Sequence, residues 1–346
     1  MNNRLSRLRA QMAEARLDAL LITDRKNVFY VSGFSGTAGY LLITYTEQLL
    51  VTDSRYTEQA AKQAIGFTVE DVADFRLETF AGKGKIGFED LSITFAEYKR
   101  FAEKLGELTP IGKMLLNLRA IKDVAEIDAV RKACEITDRA FSHILTVLRA
   151  GMTEREVAIE LEFFMRREGA SGMSFDTIVA SGARGSLPHG APTDKIIAPL
   201  ELVTMDFGCV YNGYCSDMTR TVGVGDITIG QNEVYGAVLS AQELVLEHIA
   251  PGRTGRQMHA LAADFLNESF PGRFGHGLGH GVGLDIHEEP SLSPRSEHIL
   301  VPGNIVSVEP GVYLPGECGV RIEDLVLITP DGYENFTHSA KELRIV

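Results

Sequence analysis

The sequence predicts an α+β protein of two domains, in which an α/β unit precedes a unit of long helices and Gly-rich strands. The length of 346 residues suits two domains of about 100–200 residues each. Short apolar runs alternate with helical patterns as far as residue 118, and a long helical rhythm begins directly afterwards. We therefore predict domains at 1–118 and 119–346.

The amino-terminal domain opens with an amphipathic helix. Leu5, Leu8 and Met12 recur at the spacing of one helix face. The predicted elements that follow are buried strands at 19–22, 40–44 and 49–52 and an Ala-rich helix at 55–64. Helices and strands that alternate in this way are typical of an α/β unit.

The second domain begins with a longer helical pattern. Apolar residues from Ile127 to Leu148 repeat so that they share one face of a helix over 121–148. Two more helical patterns cover 154–168 and 232–248. The rest of this half is Gly-rich and strand-like, and most of the polar residues that suit chemistry lie there.

The composition argues against several classes of partner. The net charge of −13 disfavours nucleic acid and anionic membranes. A membrane span needs about 18 consecutive apolar residues, which no stretch supplies, and the first residues lack the apolar segment of an export signal. The 4 cysteines are not clustered, so a disulfide framework or cysteine-zinc site is disfavoured. We expect a cytoplasmic protein with reduced cysteines.

An Asn212-Gly213 pair between two β-prone runs predicts a hairpin with a two-residue turn. In that register Gly208 faces Asp217, and Asp206 is the diagonal neighbour of Asp217 on the same face. Diagonal side chains lie roughly 7–8 Å apart, which suits two carboxylates that converge on a cation. The same register directs Cys209 and Cys215 to opposite faces.

Two aspartates on a strand are, taken alone, more often solvated surface residues than ligands. Asp206, however, follows the apolar residues Leu202, Val203 and Met205, so we expect it at the end of a buried strand. Like charges that are buried together need a counter-ion, and no lysine lies nearby in the sequence. This favours a bound cation.

A second cluster contains His276, His280 and His287 in a Gly-rich segment. His276 and His280 are four residues apart, as in zinc-protease helices, but the glutamate of that motif is missing and the glycines of 275–283 oppose a helix. The segment also lacks a nucleotide-binding glycine motif. Turn-forming glycines with structural histidines are the alternative to a site that a backbone approaches closely.

A third cluster consists of two predicted strands with acids, Glu309 after 305–308 and Glu323 within 319–328. Arg321 lies two residues before Glu323 and shares its face. The pair is either a surface ion pair of little energetic consequence or a metal ligand with an arginine that positions it.

The sequence resembles the pita-bread metallopeptidases of family M24, in the branch that contains prolidase and aminopeptidase P. Asp206, Asp217, His280, Glu309 and Glu323 occur in the order of that family's metal-binding residues. The matching segments are 187–190, 205–208, 214–221, 279–283, 287–290, 308–313 and 319–324. Residues 27–34 and 52–56 resemble the creatinase-type domain that precedes the catalytic domain in this branch.

The resemblance implies a creatinase-type α/β domain followed by a pita-bread catalytic domain. It also implies two divalent ions per subunit. Asp206 would bind one ion, Asp217 and Glu323 would bridge both, and His280 with Glu309 would complete the second site. Four carboxylates then balance the charge of two divalent ions. An oxygen-rich ligand set with one imidazole favours Mn²⁺, with Co²⁺, Fe²⁺ and Zn²⁺ as alternatives.

The activity implied is hydrolysis of Xaa-Pro imidopeptide bonds in small peptides with proline after the first residue. Glu309 would transfer the proton, and His189, His287, Tyr313 and Arg321 would assist. His276 would have a gating or supporting role.

We favour an Xaa-Pro dipeptidase over an Xaa-Pro aminopeptidase. Methionine aminopeptidases share the five ligands but generally lack the leading domain. A non-hydrolytic pita-bread binding protein and a creatinase-like amidinohydrolase are alternatives of another class, and the absence of a phosphate motif disfavours a nucleotide-dependent enzyme. The resemblance further implies a homodimer.

Overall fold

The computed structural model describes residues 2–346, and the chain divides into two compact units at the Arg119–Ala120 bond. Among the described residues, no helix has both the length and the apolar character needed to cross a membrane. The predicted helical face at the start of the chain is confirmed, since Leu8 and Met12 are fully buried.

The first unit is built on one six-stranded mixed sheet. Its helices are α1 Asn2–Glu14, α2 Arg25–Ser32, α3 Thr57–Gln63, α4 Phe95–Leu105 and α5 Met114–Ala120. Its strands are β1 Ala19–Ile22, β2 Tyr40–Thr44, β3 Gln48–Thr52, β4 Thr68–Asp71, β5 Ile86–Phe88 and β6 Leu108–Pro110, and residues Leu77–Phe80 form a 3₁₀ turn. The strand order is β4-β3-β2-β1-β5-β6, with β1–β2 and β2–β3 antiparallel and the other pairs parallel. The predicted strands are confirmed, and the predicted helix at 55–64 is shorter.

A buried glutamate joins β5 to the start of α2. Glu89 is 4% exposed, and its Oε2 accepts hydrogen bonds from the backbone N–H groups of Thr23 at 2.6 Å and Asp24 at 2.8 Å. Its Oε1 accepts from Asn27 Nδ2 at 2.6 Å. Burial raises the pKa of Glu89 from 4.5 to about 7, against the opposing effect of these hydrogen bonds.

This pKa predicts a pH dependence of stability. Between pH 4.5 and about 7 the folded state binds a proton at Glu89 that the unfolded chain releases. The free energy of unfolding therefore falls as the pH rises through this window. The slope contributed is at most about 1.4 kcal/mol per pH unit. Urea unfolding at several pH values measures this slope in the wild type and in Glu89→Gln. Glu103→Gln is the control, because Glu103 is exposed. Equal slopes in wild type and Glu89→Gln would contradict the prediction.

The second unit combines four helices with several small sheets in the described residues. The helices are α6 Val124–Val147, α7 Glu154–Arg167, α8 Ile229–His248 and α9 Gly255–Ser269. The strands are β7 Gly172–Met173, β8 Ile178–Ser181, β9 Glu201–Phe207, β10 Cys209–Tyr211, β11 Tyr214–Cys215, β12 Met218–Val224, β13 Gly279–Gly281, β14 Glu288–Leu292, β15 Ile305–Val308, β16 Gly311–Leu314, β17 Cys318–Arg321, β18 Asp324–Thr329 and β19 Gly332–Asn335. Residues Gly182–Ser186 form a 3₁₀ turn.

The sheets of this unit are antiparallel. Their strand orders are β12-β9-β8, β11-β10-β7, β14-β13-β15-β18-β19 and β16-β17. The first packs its buried residues against α6 and α7 in one apolar cluster, which includes Ile144, Leu161 and Met205. The strands next to Asp206 and Asp217 are therefore fixed by a well-packed core.

Two predictions for this unit need correction. The helix α9 was not predicted, although Thr254 and Gln257 form a capping box at its start, because Gly255 and scattered polar residues weaken the apolar period. The predicted strand over 319–328 is divided, since β17 ends at Arg321 and β18 begins at Asp324. Glu323 therefore lies at a break between strands.

The predicted hairpin register is confirmed. Tyr211 pairs with Tyr214 around the Asn212-Gly213 turn, and the same register continues to the pair of Asp206 with Thr219. The strands are interrupted at Gly208, where a Cβ atom would lie 2.0 Å from the Ser216 carbonyl oxygen. All 4 cysteines are buried, and none forms a disulfide with another described residue.

Candidate metal centre and substrate cavity

A cavity of about 500 Å³ lies in the second unit and contains most of the predicted site residues. Its polar lining consists of Asp176, Thr177, His189, Asp206, Asp217, His276, His280, His287, Glu309, Arg321 and Glu323. The five predicted metal-binding residues all belong to this lining, although the chain separates them widely. The predicted residue that does not line the cavity is Tyr313, which contacts Arg321 instead.

Strand ends deliver the four acids to the cavity, and a short strand delivers the histidine. Asp206 is near the end of β9, and Asp217 directly precedes β12. His280 is the central residue of β13, Glu309 directly follows β15, and Glu323 lies at the break between β17 and β18. Each acid is thus placed where a buried strand terminates, so its carboxylate can leave the apolar core.

The side chains converge closely enough to share a cation. Ligand atoms of Asp217, His280 and Glu323 all lie within 4.8 Å of one another. His280 Nε2 is 3.2 Å from Glu309 Oε1 and 3.6 Å from Asp217 Oδ2. His280 Nδ1 lies 3.2 Å from the Gly281 carbonyl oxygen. With Nδ1 donating there, Nε2 is the nitrogen that faces the acids, where it can donate to Glu309 when protonated or offer its lone pair to a cation, as in metal-binding histidines.

Unpaired oxygens show that the residues fit a metal. Asp206 Oδ1 and Glu323 Oε1 are buried and lack a hydrogen-bond partner among the described residues. A buried carboxylate oxygen without a partner is costly, and a divalent ion would satisfy it. Both atoms belong to residues on the cavity wall, so the site is suited to hard cations bound by oxygen.

The pKa shifts reflect crowded negative charge. Burial raises the pKa of Asp217 well above its usual value, and the charge of Glu323 adds to the effect. Burial and repulsion by Glu309 likewise raise the pKa of Glu323. Burial raises the pKa of Asp206 against the opposing charge of Arg321. Glu309 is the exception, because the hydrogen bond and charge of His280 outweigh its burial and lower its pKa.

Arg321 supplies a counter-ion that the sequence neighbourhood of Asp206 lacks. Its Nη2 donates to Asp206 Oδ2 at 2.6 Å, and both side chains are largely buried. Its Nε donates to Thr219 Oγ1 at 3.0 Å, and Thr219 Oγ1 donates to Glu323 Oε2 at 2.8 Å. The expected link between Arg321 and Glu323 therefore passes through Thr219, and the surface-pair alternative is wrong.

A directional hydrogen-bond chain runs from Arg321 to His276. Arg321 Nη1 donates to Tyr313 OH at 2.8 Å, so the tyrosine hydroxyl donates to His276 Nε2 at 2.9 Å. His276 Nδ1 then donates to the Gly277 carbonyl oxygen at 2.7 Å. Burial lowers the pKa of His276 and raises that of Tyr313. The chain thus holds a neutral imidazole and a protonated phenol beside the cavity.

Sequence reasoning missed several residues of the site, among them two that contact the predicted ligands, Thr219 and Ser307. Thr219 lies directly opposite Asp206 in the hairpin, so the predicted register already placed it beside the acids. Ser307 accepts from the His280 N–H at 3.0 Å and donates to Glu309 Oε1 at 2.9 Å. The sequence gives only weak evidence for Ser307, namely its position two residues before Glu309, which places both on the same face of the strand.

Comparison with known families decides the classification. Residues 128–330 match the model of metallopeptidase family M24, and residues 4–121 match the creatinase/prolidase N-terminal domain. The chain belongs to metallopeptidase family M24. The predicted family and two-part fold class are confirmed, and this M24 chain is a peptidase of a family that uses divalent metals.

Full-length relatives support this assignment. An Xaa-Pro dipeptidase from Pyrococcus horikoshii is 38% identical over 99% of both chains. Among solved structures, an Xaa-Pro dipeptidase from Bacillus anthracis is 43% identical, with a TM-score of 0.96 and 99% of each chain covered. An X-Pro aminopeptidase from Thermotoga maritima is 37% identical, with a TM-score of 0.91 over 99% of this chain and 100% of that one.

Proposed function

We propose that this M24 peptidase is an Xaa-Pro dipeptidase that uses two divalent ions. The observation that carries the proposal is the convergence of Asp217, His280 and Glu323 on one cavity wall, with unpaired carboxylate oxygens at Asp206 and Glu323. The similarity to Xaa-Pro dipeptidases over nearly the whole length supports the choice of substrate.

We assign Asp206 to one ion, Asp217 and Glu323 to both, and His280 with Glu309 to the second. Paired divalent ions supply Lewis acidity toward a carbonyl oxygen and lower the pKa of a water to about 7. Mn²⁺ is the proposed ion, because four hard carboxylates and one imidazole suit it. Arg321 holds Asp206 in place, and Thr219 holds Glu323.

Glu309 is the proposed proton acceptor. Its Oε1 is occupied by the hydroxyl of Ser307 and lies beside His280, whereas its Oε2 makes no hydrogen bond to another described residue. Oε2 is therefore free to take a proton from the attacking water and pass it to the departing proline nitrogen. Such general acid–base steps contribute about 10²–10⁴-fold to rate.

The apolar lining suits the pyrrolidine ring of proline. The apolar side chains of Phe175, Ile178, Pro188 and Ile286 line part of the cavity. An Xaa-Pro bond lacks an N–H, so the ring must be recognised by shape rather than by a donated hydrogen bond. The imidazoles of His189 and His287 are the proposed donors to the substrate carbonyl and carboxylate oxygens.

Peptide hydrolysis by the Mn²⁺-loaded protein tests the function. We expect cleavage of Ala-Pro that a chelator abolishes and added Mn²⁺ restores, with Ala-Ala as the control that lacks proline. Cleavage of Ala-Pro-Ala alone would instead establish an aminopeptidase, the second candidate supported by the similarity to the Thermotoga enzyme. A protein that binds the metals but cleaves none of these peptides would contradict the proposal.

The remaining proposals concern organisation. We assign the amino-terminal domain to 1–118 and the catalytic domain to 119–346, in keeping with the division at Arg119. A cytoplasmic homodimer is the proposed form of the protein. Light scattering of the purified chain at several concentrations distinguishes a dimer from a monomer.

A further inference from the structure

A loop over 182–192 brings Pro188, His189 and Ala191 to the cavity. It follows β8, and its regular part in the described chain is the 3₁₀ turn Gly182–Ser186. His189 is exposed and makes no hydrogen bond to another described residue. The contacts of the loop backbone therefore decide where this imidazole lies.

Glu154, the first residue of α7, contacts both ends of the loop. Its side chain is 0% exposed. Its Oε1 accepts from Ser181 N at 2.8 Å and from Ser181 Oγ at 2.9 Å, just before the loop. Its Oε2 accepts from Thr193 N at 3.1 Å and Thr193 Oγ1 at 2.7 Å, just after it. One carboxylate thus holds the entry and the exit of the loop.

Arg184 extends this anchor into the loop itself. Its Nη1 forms an ion pair with Glu154 Oε2, and its Nη2 donates to the Ala191 carbonyl oxygen at 2.9 Å. Burial raises the pKa of Glu154, but the hydrogen bonds from Arg184 and the loop ends outweigh it and lower the pKa. The positive end of the α7 dipole also favours the charged carboxylate.

The far side of the loop fits closely against the site. Arg321 Nη1 donates to the Pro188 carbonyl oxygen at 3.1 Å. A Cβ atom on Gly319 would lie 1.9 Å from the Gly185 carbonyl oxygen, so the two backbones are in direct contact. A loop with so little clearance depends on its anchor, because a small displacement would break both contacts.

We propose that Glu154 is a positioning residue that fixes the loop 182–192 so that His189 meets the substrate. The proposal rests on the proposed peptidase function, since it assumes a peptide substrate that His189 contacts. Glu154 itself does not line the cavity. It acts through a loop that is tied at both ends to one buried carboxylate. An amide in place of this carboxylate turns an N–H group toward the donors at one end of the loop, either Ser181 or Arg184 and Thr193, whichever way round it lies.

The first test is kinetic. We expect Glu154→Gln to lower kcat/KM for Ala-Pro by about 10- to 100-fold, mainly through KM, because misplaced binding groups weaken substrate positioning. Mn²⁺ affinity measured by calorimetry should be unchanged. Glu156→Gln is the matched control, since Glu156 lies in the same helix turn and its capping box with Thr153 accepts glutamine. We expect wild-type kinetics from the control.

The second test asks whether Glu154 acts through His189. In a double-mutant cycle, Glu154→Gln should lower kcat/KM for Ala-Pro less than about twofold when His189 has already been replaced by alanine. The effects of two coupled substitutions are not additive. Additive losses would overturn the proposal. Thr193→Val, which removes one hydroxyl donor, is the milder variant if Glu154→Gln does not fold.

The third test does not require activity. Trypsin should cut after Arg184 faster in Glu154→Gln than in wild type or Glu156→Gln, because the freed loop opens more often. Mass spectrometry identifies the cut. If Glu154→Gln and the wild type are cut by trypsin at equal rates and hydrolyse Ala-Pro equally well, the proposal that Glu154 anchors the loop is wrong. If wild type hydrolyses no peptide, the proposed function fails, while the trypsin rates still decide whether Glu154 holds the loop.

Discussion

Replacing Glu309 by glutamine should lower kcat/KM for Ala-Pro by about 10²–10⁴-fold, the usual contribution of a general acid–base group. Glutamine has the same shape and can still accept the Ser307 hydrogen bond at Oε1. It cannot take a proton at the other position, where the Oε2 atom of Glu309 lacks a hydrogen-bond partner within the described part of the chain. Steady-state kinetics at saturating Mn²⁺ measures the effect.

Metal content separates the two roles assigned to Glu309. If the variant retains both ions yet loses activity, proton transfer is the lost step, and if it loses one ion, its ligand role dominates. Glu317→Gln is the control, since Glu317 is exposed in the turn between β16 and β17. A Glu309→Gln enzyme with activity within threefold of wild type would contradict both roles.

Replacing Arg220 by methionine should destabilise the catalytic unit by about 3–5 kcal/mol, the cost of removing one partner from a buried ion pair. Arg220 Nη2 lies 2.7 Å from Asp324 Oδ1, with side-chain exposures of 1% and 0%. Arg220 also donates to the carbonyl oxygens of Glu323 and Ser339. The substitution therefore removes the arginine from Asp324 Oδ1 and from these carbonyl oxygens, while Gln242, Asn335 and Lys341 still contact Asp324 Oδ2.

The matched control is Arg256→Met. Arg256 forms an ion pair with Glu297 at the same distance of 2.7 Å, but with exposures of 57% and 65%. Exposed pairs contribute about 0–1 kcal/mol, so we expect a small effect. Urea unfolding followed by fluorescence and circular dichroism compares the midpoints. Equal shifts for the two variants would show that burial does not set the strength of the Arg220–Asp324 pair.

The Arg220–Asp324 ion pair adjoins one of the proposed metal-binding residues, Glu323. Thr219 and Glu323 form a hydrogen bond on the cavity side, and the next residue after each of them, Arg220 and Asp324, form an ion pair in the core. Loss of Arg220 should therefore also loosen Glu323, whose carbonyl oxygen it binds. We expect weaker Mn²⁺ binding by Arg220→Met but not by Arg256→Met, which calorimetry measures.

Much of the fold followed from local patterns. The strand at 19–22 and the hairpin around Asn212-Gly213 were predicted with their observed residues and register, because short-range sterics and turn preferences specify them. The register then correctly placed Asp206 diagonally from Asp217. Helix α9 was not predicted because its apolar residues follow the helical period only weakly. Helix α2 was not predicted because its eight residues give too few repeats of that period.

The sequence by itself identified the candidate groups for the chemistry: acids that follow apolar strands and a Gly-rich segment with histidines. Only the tertiary structure decided which of them meet. Arg321 pairs with Asp206 across 115 positions of the chain, and Glu154 holds the ends of a loop 27 and 39 positions away. Local preferences act over a few residues, whereas burial of charge forces pairing between distant strands, and no sequence spacing encodes those partners.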